Sequence, residues 1–161
     1  IRSGSTWTTN IDTVKKWGQF KYNNPDSNIK IVVNHTLSTF NFLYYDEIVE
    51  ETGKLRTFPG LDKLELWAHY ALENEWHNCF LLPKSLKEEA IGIWKHNNPQ
   101  QWEYQNFRSN TAELLSQDKP LPRLSFDDWW NNNTVMDNIR HQAIKDVLPE
   151  LINLFERHKL L

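Results

Sequence analysis

Cysteine is almost absent from this sequence of 161 residues, which contains only Cys79. A single cysteine excludes an internal disulfide, and its place inside an apolar run favours a buried thiol in a reducing, cytoplasmic compartment. Long apolar runs are absent as well, so we expect neither a membrane-spanning helix nor a secretory signal. From the length of 161 residues we expect one α+β domain over residues 1–161, and because the chain opens at Ile1 instead of methionine, we leave open that it is cut from a longer protein.

Several catalytic motifs are also missing. Five glycines give neither a phosphate-binding loop nor a dinucleotide fingerprint, and no GxSxG motif is present. The six histidines show no HExxH pattern, and one cysteine cannot complete a cysteine-rich zinc site. These absences exclude the enzyme classes that those motifs define.

The charge balance is slightly acidic, with a formal net charge of -3. A freestanding protein that binds nucleic acid without specificity usually presents a basic face, so this balance argues against that class. A small basic groove stays open, because net charge does not describe how the charges are distributed.

Aromatic residues are plentiful, with eight tryptophans, eight phenylalanines and five tyrosines. Such rings bury large apolar areas, so a packed core accounts for most of them. The alternative is an exposed aromatic surface that stacks on nucleic-acid bases or anchors a protein interface.

The first third of the sequence is interpreted as strand-rich. Thr9 and Asp12 have the spacing of a helix capping box, and Gly18 is expected to end that helix. β-Branched runs, alternating patterns and a turn then predict several strands. These are a strand over 29–33 that ends near Asn34 and His35, a strand over 39–45, and a hairpin that pairs 47–50 with 55–58.

The remaining sequence is interpreted as mainly helical, so the predicted fold class is α+β. The middle elements are a helix over 61–72, a buried strand over 76–82, a helix that starts at Ser85 and buries Leu86, Ala90, Ile91 and Trp94, a helix over 102–115, and an extended connector over 119–122. Near the end, Ser125 and Asp128 predict a brief capped helix that the asparagines 131–133 interrupt. The last helix is expected from Thr134 towards His158, with Met136, Ile139, Ala143 and Val147 on its core face and Pro149 kinking or restarting it.

His35, Asn78 and Ser85 mark a predicted strand end, a strand start and a helix start. Such a strand–strand–helix arrangement can hold one divalent cation and one imidazole against a scissile phosphate, where the cation stabilises the leaving oxygen. A neutral His35 could take a proton from the attacking water, and Asn78 could position the imidazole by hydrogen bonding. A histidine at a strand end is also a common structural residue, and this alternative stays open for His35.

The stretch 78–87, Asn-Cys-Phe-Leu-Leu-Pro-Lys-Ser-Leu-Lys, resembles a region of the HNH endonucleases. In particular, it is similar to the C-terminal nuclease domain of GmrSD-type modification-dependent restriction enzymes. Trp129, Trp130, Ile139 and Arg140 also resemble that family's closing helix. The resemblance implies an HNH-like strand–strand–helix core, Mg²⁺ or a similar divalent cation as cofactor, and DNA as substrate. It also implies that an upstream nucleotide-hydrolysing domain often accompanies such a nuclease.

The resemblance assigns catalytic roles to His35 and Asn78, and the sequence departs from the family's pattern at the metal side. Asn34 stands where an acidic metal ligand is expected, and Lys87 occupies the place of a helix asparagine. An amide is a poor substitute for a carboxylate on a hard cation, and an ammonium cannot ligate one. Glu88 or His96 could replace a lost ligand, and we take Asn34 and Glu88 as the candidate metal ligands.

Two functions follow as hypotheses. The first is an HNH-type, metal-dependent DNA endonuclease domain, in an active or a degenerate form. The second is a noncatalytic interaction module that binds nucleic acid or a protein partner through exposed aromatic residues.

Overall fold

The computed structural model describes residues 7–71, 75–97, 124–141 and 143–161. The chain divides into two compact units. Unit 1 comprises Ile1–His35 and Glu47–Trp67, and unit 2 comprises Thr36–Asp46 and Ala68–Leu161. No helix of the described ranges is long and apolar enough to cross a membrane.

The described residues form helices with one small sheet. The helices are α1 (Trp7–Asn23), α2 (Tyr45–Leu55), α3 (Lys84–Asn97), α4 (Phe126–Arg140), α5 (Ile144–Val147) and α6 (Pro149–Arg157). The strands are β1 (Val32–Leu37) and β2 (Glu65–Tyr70). Short 3-10 turns cover Phe42–Tyr44, Glu75–His77 and Cys79–Leu81. The coarse prediction of a mixed helix-and-sheet fold is confirmed. The predicted strand-rich first third is wrong, because α1 and the start of α2 lie there and β1 is its one described strand.

β1 and β2 pair in parallel, and α2 connects them. The N–H of Glu65 donates to the carbonyl of Ile31 at 3.4 Å, and that of Ala71 donates to Leu37 at 2.8 Å. Both strands therefore advance in the same direction, which requires a crossover connection in place of a hairpin. α2 supplies that crossover.

The strand predicted over 39–45 and the hairpin predicted after it are wrong. Those residues form the Phe42–Tyr44 turn and α2. Phe42, Tyr45, Val49 and Thr52 are all buried, and they repeat at three- and four-residue intervals. That period belongs to a helix, and it outweighs the two-residue alternation of Phe40, Phe42 and Tyr44.

The prediction that Gly18 ends the first helix is wrong, because α1 continues to Asn23. Gly18 is the buried residue of α1, and Leu61 lies directly over its Cα. Leu61 belongs to the core of unit 1, together with Leu55 and Leu64. The glycine thus serves close packing inside the helix.

Two predictions in the middle of the chain exchange helix and strand. Residues 61–72 were predicted as a helix, but Glu65–Tyr70 form β2, in which Leu66 is buried while Trp67 and His69 are exposed. Residues 76–82 were predicted as a strand, but they contain parts of two 3-10 turns. Pro83 and the cap at Asn78 keep that segment short and turned.

Unit 2 contains the helices that the sequence predicted best. α3 buries Leu86, Ala90, Ile91 and Trp94 as expected, and the Trp94 ring contacts Phe42 and Tyr45 edge-on. The capping box of Ser125 and Asp128 is present at the start of α4. The predictions for 102–115 and 119–122 lie outside the described residues.

α4 does not stop at the asparagines 131–133. The side chains of Asn132, Asn133 and Thr134 donate to carbonyls four residues earlier, at 2.8–3.1 Å, so their polar groups are satisfied inside the helix. α4 ends where His141 adopts φ 53°. The single last helix is therefore wrong, although Pro149 does restart a helix as the first residue of α6.

Candidate functional site

The predicted site residues fall in both units. Asn34 and His35 are neighbours on β1 in unit 1, where Asn34 is exposed and His35 is half-buried. Asn78 and Glu88 lie in unit 2. The catalytic roles of His35 and Asn78, and the metal-binding roles of Asn34 and Glu88, stay predictions.

The prediction that Asn78 opens a strand is wrong. Asn78 caps the Cys79–Leu81 turn, where its Oδ1 accepts the N–H of Phe80 at 2.9 Å. Asn78 is 7% exposed, so this capping bond satisfies the oxygen of a buried amide. Glu88 is exposed on α3, with one oxygen 3.7 Å from the Nζ of Lys84.

Lys87, which stands at the place of the family's helix asparagine, is buried in unit 2. Its Nζ lies 5.8 Å from the centre of the Phe80 ring, a cation–π distance. Burial lowers the pKa of Lys87. Within the described ranges, no group of three or more His, Cys, Asp or Glu residues could hold a metal ion.

A different site emerges in unit 2 as a cavity of about 360 Å³. Its lining is mostly aromatic, amide and apolar. The described residues that line it are Phe40, Trp76, His77, Asn132, Asn133, Val135 and Met136. We call it the aromatic cavity.

Hydrogen bonds fix the turn that carries Trp76 and His77. Thr39 donates its N–H to the carbonyl of His77 and its Oγ1 hydroxyl to the carbonyl of Trp76, both at 3.1 Å. Trp129 of α4 donates its Nε1–H to the same Trp76 carbonyl at 2.8 Å. The segment of Phe40, the 76–77 turn and α4 are therefore joined at one point.

The rings of the cavity rest on a buried aromatic cluster. The centre of the Phe40 ring lies 5.4 Å from that of Trp129 and 5.6 Å from that of His77, the second pair edge-on. Trp129 is fully buried and contacts Phe126 and Phe155. Such contacts restrict ring rotation, so the cavity is largely preformed.

α4 forms the other wall, and its apolar residues are exposed. Val135, Met136 and Ile139 are 56%, 39% and 65% exposed, although Met136 and Ile139 were predicted to face the core. The sequence did contain this apolar stripe, but its spacing could not distinguish a buried face from an exposed one. Tertiary packing directs Trp129 inward and leaves the stripe in solvent.

Among the described residues, the cavity walls carry hydrogen-bond acceptors and neither Lys nor Arg. Asn132 and Asn133 use their Nδ2 groups within α4, and no hydrogen bond from another described residue reaches their Oδ1 atoms. Asp127 and Asp128 are exposed in the first turn of the same helix. The Ser125 side-chain hydrogen bond lowers the pKa of Asp128, which keeps this carboxylate charged.

Comparison with known proteins gives no family assignment. No family model, no curated protein and no solved structure matches the chain.

Proposed function

We propose that unit 2 is an interaction module whose aromatic cavity binds a segment of another protein without catalysing a reaction there. The segment would place an apolar or aromatic side chain, flanked by basic residues, in the aromatic cavity. The observation that supports this proposal is the cavity itself, with its ring floor on Trp129 and its exposed apolar wall on α4.

The size and lining of the cavity suit a side chain. A volume of about 360 Å³ lies within the range of roughly 300–1,000 Å³ that is common for ligand pockets. Trp76 can supply the large, rigid contact area that often dominates an interface. Met136 can adapt its flexible chain to the bound group.

The charges favour a protein segment over a nucleic acid. Phosphate contacts with Lys and Arg dominate nucleic-acid affinity, and neither type occurs among the described residues that line the cavity. The carboxylates of Asp127 and Asp128 would repel phosphate and attract a basic peptide. The Oδ1 acceptors of Asn132 and Asn133 suit N–H donors from a peptide backbone or a basic side chain.

Met136 offers a direct test because it is the only methionine of the chain. A ¹³C-methyl-methionine sample gives one methyl signal, and that methyl group belongs to a cavity residue. We expect this signal to shift saturably on titration with a blocked Lys-Trp-Lys peptide. A blocked Glu-Trp-Glu peptide and a ten-nucleotide oligothymidine should shift it at least about tenfold less at equal concentration, given the charge pattern.

Two tryptophan variants provide the control. Trp76 and Trp67 are similarly exposed, at 40% and 48%, but only Trp76 lines the cavity. Trp76→Ala should abolish the peptide-induced shift, and Trp67→Ala should leave it unchanged. No shift with any peptide, or a shift with the oligonucleotide alone, would exclude a protein-binding cavity. Mg²⁺-dependent plasmid cleavage that is lost in His35→Ala would instead favour the HNH endonuclease.

A further inference from the structure

Apart from the aromatic cavity, unit 2 brings together a serine, a histidine and a glutamate from two helix ends. Ser85 and Glu89 lie four residues apart on α3, and therefore on one face of that helix. His158 follows directly after α6. Its Nδ1 lies 3.1 Å from the Oγ of Ser85, and its Nε2 lies 2.6 Å from Oε2 of Glu89.

The chemistry of the three groups determines which atom carries the proton. A carboxylate only accepts hydrogen bonds, so Nε2 of His158 must donate to Glu89. In the neutral ring Nδ1 then has the free electron pair, and Ser85 donates its hydroxyl proton towards it. A serine hydroxyl that faces an imidazole held in this tautomer is an activated nucleophile.

Arg157 supports the arrangement from the other side of the carboxylate. Its guanidinium donates to Oε1 of Glu89, while His158 occupies Oε2. The bonds from His158 and then from Arg157 lower the pKa of Glu89, so the carboxylate stays ionised near neutral pH. An ionised Glu89 both orients the imidazole and stabilises the imidazolium that forms when Nδ1 takes a proton.

The nucleophile is also accessible. Ser85 is exposed and is the second residue of α3, so its own N–H belongs to the helix turn that has no intrahelical acceptor. The first helical bonds run from Leu86 and Lys87 to the carbonyl of Pro83. The N–H groups of Lys84 and Ser85 can therefore donate to an oxyanion that forms beside the serine.

We propose that Ser85, His158 and Glu89 form a catalytic triad that hydrolyses small, solvent-accessible carboxylic esters. Ser85 Oγ attacks the carbonyl carbon and its proton passes to Nδ1 of His158. The carbon–oxygen bond to the leaving group then breaks, and Nδ1 returns the proton to the departing alkoxide. Water next loses a proton to Nδ1 and attacks the acyl carbon. The bond from that carbon to Ser85 Oγ then breaks, the acid leaves, and Nδ1 returns the proton to Oγ. This activity is independent of the aromatic cavity and of the binding proposed there.

A fluorophosphonate probe tests the nucleophile directly, because it phosphonylates an activated serine oxygen and loses fluoride. We expect peptide mass spectrometry of the full chain to locate one adduct at Ser85. Hydrolysis of p-nitrophenyl acetate should fall to background in Ser85→Ala. The labelling rate should fall by about a hundredfold or more in His158→Gln, as expected for loss of a general base.

Ser125 provides the matched control. It is an exposed serine at another helix start, and its Oγ contacts the carboxylate of Asp128 without a histidine in place. Ser125→Ala should label and hydrolyse like the unaltered protein. If folded protein gains no adduct at Ser85, or if His158→Gln is labelled as fast as the unaltered protein, the catalytic proposal is wrong. The contacts among these three residues are then structural only. In that case Ser85→Ala would change the melting temperature, and ester hydrolysis would be at background in both proteins.

Discussion

At the scale of single residues, Gly18 and Gly60 make a close backbone approach in unit 1. A Cβ on Gly60 would lie 2.1 Å from the carbonyl oxygen of Gly18, and Gly60 has φ +77°. A Cβ on Gly18 would lie 2.6 Å from Cγ of Leu61 and 3.0 Å from the Pro59 carbonyl oxygen. Only hydrogen fits at these two positions, because the neighbouring atoms include backbone that cannot rotate away.

Gly18→Ala should therefore destabilise the protein, although alanine is the better helix former. We expect a loss of about 1–3 kcal/mol, the usual cost of overpacking a tight contact. Urea unfolding gives the value as a shift of midpoint at constant slope.

Gly92 is the matched control within α3. It is exposed, and a Cβ there would meet no atom within 4 Å. Gly92→Ala should gain about 0.5–1 kcal/mol from helix propensity alone. Equal effects at both glycines would contradict the close approach of α1 to Gly60.

At the scale of the elements, the start of α4 shows how local sequence specifies a boundary. Ser125 Oγ accepts the N–H of Asp128 at 3.1 Å, and the Asp128 carboxylate accepts from the Ser125 N–H at 3.3 Å. All four atoms lie within one turn, so no distant contact is needed to set this helix start.

Ser125→Ala should cost roughly 0.5–2 kcal/mol near neutral pH, the usual cost of losing a helix cap. The pKa of Asp128 is lowered from its ordinary value of 3.8 by Ser125, so the charged form stabilises the fold above pH 3.8. That contribution disappears as the pH falls through the lowered pKa. The difference between the two proteins should therefore shrink, without vanishing, between pH 7 and pH 3 in urea unfolding experiments. A constant difference would show that the carboxylate takes no part in the cap.

α3 and the 61–72 segment show where helical spacing succeeds and fails. Leu86, Ala90, Ile91 and Trp94 recur at helical intervals and are buried, so the local pattern and the core agree. Leu61 and Leu64 have the same spacing, but they are buried in a turn before β2 begins. The pattern alone could not separate these cases, because the second depends on pairing with β1.

At the scale of the whole molecule, Cys79 is the single thiol and it is fully buried in unit 2. Burial raises the pKa of the Cys79 thiol, so the native protein holds almost no thiolate. We expect Ellman's reagent to react with the native chain more than about a thousandfold slower than with the chain in denaturant. Stoichiometric reaction within seconds in native buffer would show that this part of unit 2 opens readily.

The two candidate sites differ in how much of each the sequence indicated. The aromatic richness was visible, with an exposed aromatic surface as the alternative to a core, whereas the apolar residues of α4 were assigned to the core. The grouping of Ser85 with Glu89 follows from helical spacing, whereas His158 is 69 residues beyond Glu89 and joins them only in the folded unit. No local pattern reports a contact at that separation, because the chain between the residues sets it.

The sequence by itself determined the capped start of α4, the buried face of α3, the restart at Pro149 and the absence of a disulfide. Each depends on residues within one or two helical turns or on composition. Only the tertiary structure decided that 45–55 form a helix, that β1 and β2 pair in parallel, and that Met136 and Ile139 face solvent. These outcomes depend on which apolar surfaces find partners, since the free energy of burial is gained only when distant segments meet.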